Sequence, residues 1–170
     1  MSIRILEASD ATAFQALRLR GLAEVPTAFA SSFEEEVATP TADVAKRLEP
    51  RDDGLILGSF ADDVLCGVVG LQRESMRKLR HKAVVWGMYV APEARRAGHG
   101  VQLLQHALQH AWQTLRVRQV KLGVHAHNEG AVRLYQRCGF EIFGTELGSL
   151  CVDDQLQDEH HMVCRAPKSA

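Results

Sequence analysis

The sequence predicts an α/β fold, a single domain in which a mixed, mostly antiparallel sheet carries helices on both faces. Three observations predict it. The chain has 170 residues, 46% of them hydrophobic, which suits one domain with a sizeable core. Strand-like and helix-like segments follow in the order β-α-α-β-β-β-α-β-α-β-β, which is typical of a mixed sheet covered by helices. No internal repeat or linker-like tract interrupts them, so residues 1–170 are expected to form one domain.

The first elements are a strand and two helices. Residues 2–6 alternate weakly between polar and apolar, as a strand does. Asp10 is a good N-cap for the next helix, which is expected to end at Gly21. A loop running into a short helix comes next. The Thr-Pro pair that opens residues 39–48 then predicts another helix, with the threonine as N-cap and the proline in the first turn.

Two antiparallel returns of the chain are predicted next. Residues 54–60 and 64–75 are rich in strand formers and flank an Asp-Asp turn, a pattern typical of a hairpin. A basic loop at 76–82 then leads into residues 83–90. Because that segment is almost continuously apolar, it is expected to be a central strand covered on both faces.

The second half begins with a helix, a strand and a short helix. Apolar residues recur at spacings of three and four through residues 101–115, which predicts a helix that buries one stripe. Residues 119–126 form the next strand, and Asn128 is expected to cap a short helix that stops at Gly139.

The chain is expected to close with two strands and a loop between them. Residues 140–147 and 159–166 are the predicted strands. The polar residues 151–158 are the predicted loop.

Composition excludes several classes of function. The formal charge of −1 and the pI near 6.7 lack the basic excess of a protein whose main partner is nucleic acid or an anionic membrane. No segment has the apolar length of a spanning helix, and the N-terminal apolar run is too short for a signal peptide. The scattered cysteines favour small core residues in a reducing compartment, so a cytoplasmic protein is expected. They are Cys66, Cys138, Cys151 and Cys164.

The basic loop leaves one alternative open. Six positive or titratable groups fall between Arg73 and Lys82, and they could contact RNA or an acidic partner. Because no aromatic residue that could stack on a base is interleaved with them, a solvated hairpin tip is favoured.

The stretch "VAPEARRAGHG" at residues 90–100 joins the central strand to a helix N-terminus. Such a terminus presents unpaired N–H donors and the positive end of a dipole. Gly98 and Gly100 would let the backbone approach a phosphate closely, and Arg95 and Arg96 add full charges. The spacing fits neither common nucleotide motif. The alternative is a glycine turn with solvated arginines.

The loop does not stand alone. "MYVAPEARRAGHG", with an amphipathic helix after it, and "NEGAVRLYQRCGF" after the next strand together resemble the GCN5-related (GNAT) acetyltransferases. The resemblance implies a V-shaped splay between strand 83–90 and strand 119–126. It also implies that the loop holds the pyrophosphate of coenzyme A. The residues that would do so are Arg95, Arg96, Ala97, Gly98, His99 and Gly100.

The same resemblance implies further cofactor contacts. The pantetheine arm would pair with the strand like an added strand, with Met88 and Val90 as backbone partners. Gly87 is compatible with a bulge in that strand, the alternative being tight packing beneath a helix. Asn128 would both cap its helix and contact the pantetheine or phosphate region.

Acetyl transfer from a thioester to an amine needs a neutral nitrogen and a proton for the leaving thiolate. The resemblance implies Tyr135 as the general acid. The alternative is an aromatic ring that only packs, with a wet hydroxyl. The base stays unassigned, because residues 83–90 lack the glutamate that many relatives have there. His125 and the glutamates at 34–36 are candidates.

The predicted activity is therefore direct transfer of the acetyl group of acetyl-CoA to a primary amine of a small molecule or a protein. A non-catalytic acyl-CoA sensor is the alternative. The acceptor is expected between residues 26–36 and 147–158, where acidic side chains would attract a cationic amine. No partner beyond these two substrates is predicted except a second copy of the chain, since a dimer is the commonest closed assembly.

A metal site is the less favoured use of the histidines. His125 and His127 lie two apart on a predicted strand and would share a face. No closely spaced pair completes a tetrahedral set, so no metal is expected. The further cysteines and histidines considered with this pair are Cys138, Cys151, His160, His161 and Cys164.

Overall fold

One seven-stranded sheet organises the computed structural model, which describes residues 1–167. The strands lie in the order β1-β2-β3-β4-β5-β7-β6. Their bounds are β1 Ser2–Ile5, β2 Gly54–Ala61, β3 Val64–Arg73, β4 Lys82–Val90, β5 Gln119–His125, β6 Glu141–Val152 and β7 Gln155–Arg165. All neighbours pair antiparallel except β4 and β5, which pair parallel. The predicted mixed, mostly antiparallel sheet is confirmed.

The helices cover both faces of this sheet, as predicted. They are α1 Ala11–Glu24, α2 Phe33–Glu36, α3 Thr41–Leu48, α4 His99–Gln113 and α5 Glu129–Arg137. Single 3₁₀ turns form at Ala8–Asp10, Pro26–Ala28 and Pro92–Ala94. We call the face under α4 and α5 the α4 face, and the face under α1 and α3 the α1 face.

Each face has its own buried cluster. On the α4 face the apolar stripe of α4, with Leu103 and Leu104 fully buried, packs over β2, β3 and β4, and residues of β5 such as Leu122 belong to the same cluster. On the α1 face Phe14 and Leu17 of α1 pack with residues of α3 and of the opposite strand faces. Burial of apolar side chains on both faces fixes the register of the central strands, because a shift of one residue would reverse the faces.

Helix α1 differs from its prediction at both ends. It continues through Gly21 to Glu24, and Gly21 lies inside the helix. The ring of Tyr89 lies 3.0 Å from the point where a Cβ of Gly21 would be, so close packing explains this glycine. Asp10 occupies the N-cap position, but its carboxylate does not cap α1. It accepts the N–H of Glu7 at 2.8 Å and pairs with Arg4.

Helix α3 begins one position later than predicted. Pro40 is its N-cap residue and Thr41 its first residue, so Thr39 lies outside the helix. Pro40 has extended backbone angles, with φ −60° and ψ 140°, and therefore precedes the first turn.

The predicted loop at 151–158 is wrong. Strands β6 and β7 continue into it and leave a two-residue turn at Asp153 and Asp154, both with positive φ. A two-residue hairpin turn of this kind matches the twist of the flanking strands. Asp62 and Asp63 form the same turn in the first hairpin. An Asp-Asp pair therefore marks the turn in both hairpins.

Among the residues that the structure describes, we find no helix with the length and apolar character needed to cross a bilayer.

Candidate active site

Strands β4 and β5 pair only at their first residues. Lys82–Val84 of β4 lies beside Gln119–Lys121 of β5, and the register ends there. Beyond Val84 the two strands diverge while β4 stays paired with β3 and β5 with β7. This is the predicted V-shaped splay between strands 83–90 and 119–126, and it leaves one edge of β4 open to a ligand.

A bulge in β4 lies at the open end of the splay. Gly70 pairs with Trp86 and Val68 with Tyr89, so β4 has one residue more than β3 between these pairs. Gly87 lies in this interval with φ +61°, a conformation that glycine adopts without strain. The prediction of a bulge at Gly87 is confirmed.

Beyond the bulge, Val90 turns its polar backbone groups into the splay. Ala91 N–H donates to the carbonyl of Cys66 on β3 at 2.8 Å. Because backbone groups alternate in an antiparallel ladder, those of Val90 point the other way, toward β5. The Val90 carbonyl accepts Nε of Arg95 at 2.9 Å. Its N–H faces the slot.

The loop after β4 opens α4 with a left-handed turn. Arg96 has φ +64°, and Gly98, the N-cap residue, has φ +90°. No side chain caps the helix, so the N–H groups of its first turn remain available. A Cβ at Gly100 would lie 3.3 Å from Leu134 of α5, so this glycine lets α4 and α5 approach each other.

The two arginines of the loop have different surroundings. Arg95 is held by Glu24 at 2.5 Å, and Glu24 also accepts the hydroxyl of Tyr89 at 2.7 Å. The hydrogen bond from the Tyr89 hydroxyl lowers the pKa of Glu24. Burial opposes this, and Arg95 lowers the pKa further. Arg96 is exposed and has no ion-pair partner among residues 1–167. It is the cation of the loop that is not already neutralised.

His99 points its side chain into the protein. It is 5% exposed, and its Nδ1 lies 2.6 Å from Oγ of Ser59, a fully buried residue of β2. Sγ of Cys66 lies 3.5 Å from the same nitrogen. Only the backbone of His99 remains for a ligand at the loop, and its imidazole fastens the first turn of α4 to the sheet.

Helix α5 presents Asn128 and Tyr135 to the splay. The side chain of Asn128 accepts the N–H of Ala131 at 3.1 Å, which confirms the predicted cap. Tyr135 is buried against Phe140, and burial raises the pKa of its phenol to about 12. Its hydroxyl has no hydrogen-bond partner within residues 1–167.

A cleft of about 850 Å³ joins these features. Seven of the ten predicted site residues line it: Met88, Val90, Arg95, Arg96, Gly100, Asn128 and Tyr135. The other three, Ala97, Gly98 and His99, do not line the cleft and lie in the turn that opens α4. The cleft also has residues that sequence reasoning missed, namely Val25, Thr27, Ala28 and Phe29 from the α1 face and Arg133 and Arg137 from α5. The two arginines four apart on α5 were a usable signal.

None of the three glutamates considered as bases lines the cleft, and two of them have other partners. Glu35 accepts the N–H of Ser32 in the cap of α2. Glu36 pairs with the buried guanidinium of Arg18 at 2.8 Å. Burial alone would raise the pKa of Glu36, but the hydrogen bond and charge of Arg18 outweigh it and lower that pKa. His125 does line the cleft.

The potential metal ligands that cluster include His161, which the sequence analysis named, but not the pair His125 and His127. Within residues 1–167, the ligand atoms of Glu146, Glu159 and His161 lie within 4.8 Å of one another. They are satisfied by protein groups, since His161 contacts Glu146 at 2.9 Å and Ser149 donates to Glu159 at 3.1 Å. His125 and His127 contact each other edge-on, with ring centroids 5.6 Å apart.

The fold and the cleft define an α/β protein whose sheet is splayed beside an uncapped helix N-terminus. Comparison with known proteins agrees: the model of the acetyltransferase (GNAT) family matches residues 22–140. The chain belongs to the acetyltransferase (GNAT) family.

Individual relatives are more distant. A spermidine N(1)-acetyltransferase of Vibrio cholerae is 26% identical over 101 residues, which cover 59% of this chain and 58% of the relative. A mycothiol acetyltransferase of Brachybacterium faecium is 30% identical over 146 residues, 83% of this chain and 40% of the relative. The chain thus spans less than two thirds of each of these proteins.

Solved structures agree on the fold. The Salmonella typhimurium protein yncA, solved with its cofactor acetyl-CoA, superposes with a TM-score of 0.87 at 18% identity. The superposition covers 100% of this chain and 96% of yncA. At this level of identity the likeness establishes the architecture of the chain.

Proposed function

We propose that residues 1–170 form one N-acetyltransferase domain that moves the acetyl group of acetyl-CoA directly to a primary amine of a small molecule or a protein. The observation that carries the proposal is the cleft through the splay. The free edge of β4, the uncapped start of α4 and the buried Tyr135 all border it. Family membership and the names of the relatives point the same way.

The residues present fit coenzyme A. An extended amide chain can pair with the outward N–H of Val90 and the neighbouring backbone of Met88. The first turn of α4 and the loop from Arg95 to Gly100 offer main-chain N–H groups to a pyrophosphate. Asn128 borders the same space. With Arg95 engaged by Glu24, the free positive charge comes from Arg96, aided by Arg133 and Arg137 at the rim of the cleft.

Tyr135 suits the role of general acid. Its pKa of about 12 keeps the phenol protonated at neutral pH, and its hydroxyl has no competing acceptor among the described residues. It would give its proton to the thiolate of coenzyme A as the C–S bond breaks. Acetyl-CoA supplies the activated acyl group, and no cysteine of the chain is needed as a nucleophile.

The acceptor amine would enter from the α1 face. Residues Pro26–Ala28 lie against β5 and β6 on that face, and Thr27 and Phe29 line the cleft. Since Glu35 and Glu36 are already engaged, the negative charge that attracts a cationic amine comes from Glu146 and Glu159 of the last hairpin.

The test is calorimetry with acetyl-CoA followed by an amine screen read by thiol release. We expect binding, and release with at least one amine. Tyr135→Phe should lower kcat about 10²-fold or more while leaving acetyl-CoA affinity nearly unchanged. Absence of binding by well-folded protein would refute the proposal. Tight binding without release from a broad amine panel would instead support an acyl-CoA sensor.

The proposal also covers the compartment and the assembly of the protein. The cysteines are all free, which suits the reducing cytoplasm. A homodimer is the expected assembly, and light scattering on the purified chain would test it.

A further inference from the structure

His125 is the candidate base named from the sequence that lines the cleft, where the exposed His127 is its neighbour. It is half-buried at the C-terminal end of β5. Val124 and Leu122 point to the α4 face, where they join the buried cluster. Because side chains alternate along a strand, His125 and Gly123 point to the α1 face. His125 therefore borders the cleft on the side from which the acceptor would enter, whereas Tyr135 belongs to the opposite face.

The hydrogen bond of His125 fixes where its proton resides. Its Nε2 lies 2.9 Å from Oε1 of Gln157 on β7. An amide oxygen only accepts, so the neutral imidazole must carry its proton on Nε2. The amide of Gln157 is oriented by its own nitrogen, which donates to the carbonyl of Gln155 at 3.5 Å. Nδ1 keeps a lone pair and has no partner in residues 1–167.

Charged groups lie near His125 on the two neighbouring strands. Glu159 lies directly opposite on β7, and Glu146 lies opposite Glu159 on β6. A Cβ at Gly123 would clash with the Glu159 carboxylate, so this carboxylate lies over β5 on the same face. The neighbouring ring is that of His127. Residues Pro26–Ala28 bring no titratable side chain, and α5 brings these groups to the cleft: Arg133, Tyr135 and Arg137.

His127 also lines the cleft, but it follows the end of β5, and no hydrogen bond holds its ring within residues 1–167. Strand β4 carries no carboxylate, and Glu34, Glu35 and Glu36 of α2 do not line the cleft. Glu159 accepts the hydroxyl of Ser149 and does not border the cleft. His125 lines the cleft, and its Nδ1 is left without a partner in residues 1–167, as a base requires.

We propose that His125 is the general base of the acetyl transfer, acting through Nδ1, and that Gln157 is a positioning residue that holds the required tautomer. This rests on the proposed function. The amine nitrogen forms a bond to the acetyl carbon, and the C–S bond of acetyl-CoA breaks. The proton shed by nitrogen goes to Nδ1 and then to solvent. The thiolate takes the proton of Tyr135, which solvent replaces.

The pH profile of His125→Gln tests the base. If the base is a histidine, wild-type kcat/KM should fall in acid solution, where a proton occupies its lone pair. His125→Gln should lower kcat about 10²–10⁴-fold, remove this limb, and leave acetyl-CoA affinity by calorimetry within about twofold. His106→Gln, on the exposed side of α4, is the matched control and should behave as wild type.

Gln157 is tested by two substitutions with different outcomes. Gln157→Glu places a carboxylate on Nε2–H and should move the acid limb up by about 1 pH unit or more. Gln157→Leu removes the amide oxygen that fixes the proton on Nε2 of His125. The ring should then populate both neutral tautomers, and kcat should fall. Nitrogen NMR of the ring reports the tautomer without turnover, and we expect the Nε2–H form in the wild type.

The outcomes separate the two proposals. Wild-type turnover with an unchanged rate and acid limb in His125→Gln would overturn the base alone. An Nδ1–H tautomer in the wild type would also overturn it. Acetyl-CoA binding without turnover of any amine would overturn the proposed function and the base together.

Discussion

The inward-facing His99 gives the sharpest energetic prediction. In His99→Leu the partner of the Ser59 hydroxyl disappears, and Ser59 is 0% exposed. A buried polar group without a partner costs about 1–3 kcal/mol. For a chain of this length each kcal/mol corresponds to about 2–4 °C in Tm. The variant should therefore melt several degrees below the wild type.

A double-mutant cycle isolates the hydrogen bond from the change of shape. Ser59→Ala removes the other partner, and His99→Leu combined with Ser59→Ala removes both. Because the double variant leaves no orphaned hydroxyl, it should recover about 1 kcal/mol relative to the sum of the single effects. Urea unfolding at neutral pH measures all four proteins.

The same cycle tests what the bond does for the loop. His99 is the first residue of α4, and its imidazole ties that turn to β2. His99→Leu should therefore weaken acetyl-CoA binding in calorimetry by more than the loss of folded protein explains. The folded fraction is measured separately. Single effects that add within about 0.5 kcal/mol, with unchanged affinity, would refute the anchoring role.

Three further predictions concern other parts of the chain. Arg18→Met should destabilise by about 1–3 kcal/mol in urea because Glu36, whose side chain is 16% exposed, keeps only a 4.0 Å contact with Arg47, and adding Glu36→Leu should restore most of the loss. Gly98→Ala should cost about 1–2 kcal/mol because φ is +90°, whereas Gly130→Ala in a helix should stabilise slightly; the same sign in both would contradict this. Burial, then the bond to Glu24, raises the pKa of Tyr89 from 10.0 to about 12, so the folded state keeps a proton that the unfolded chain loses. Its contribution to stability is complete below about pH 10 and is lost between about pH 10 and 12, and Tyr89→Phe should reduce that loss in urea titrations at several pH values.

Local patterns predicted the elements that place the cleft. The apolar segment at 83–90, the glycine-bearing loop and the amphipathic helix after it lie where their periodicity indicated. Their signals are local, because each depends on residues that are neighbours along the chain. The bulge at Gly87 was accessible for the same reason, since a glycine inside an apolar strand is itself the signal.

The side-chain partners were not accessible in this way. Arg95 is 71 residues from Glu24 in sequence, and His99 is 40 from Ser59. Nothing near either residue indicates that one guanidinium is neutralised or that one imidazole turns inward. A motif therefore specifies backbone geometry better than it specifies charge. In this loop the cation that remains free is Arg96, although Arg95 holds the defined position of the motif.

The splay itself explains why cofactor and acceptor can meet. After Val84, strand β4 no longer pairs with β5, so the backbone groups of β4 that point toward β5 have no partner in that strand. Arg95 recovers one of them, the Val90 carbonyl, and leaves the N–H to a ligand. Arg96 and Arg137 line this gap on the α4 side, whereas Glu146 and Glu159 lie near its α1 side, outside the lining. Under the proposed function, an anionic thioester and a cationic amine would be drawn to opposite sides of one gap. The reacting atoms would then meet where the sheet lacks its own hydrogen bonds.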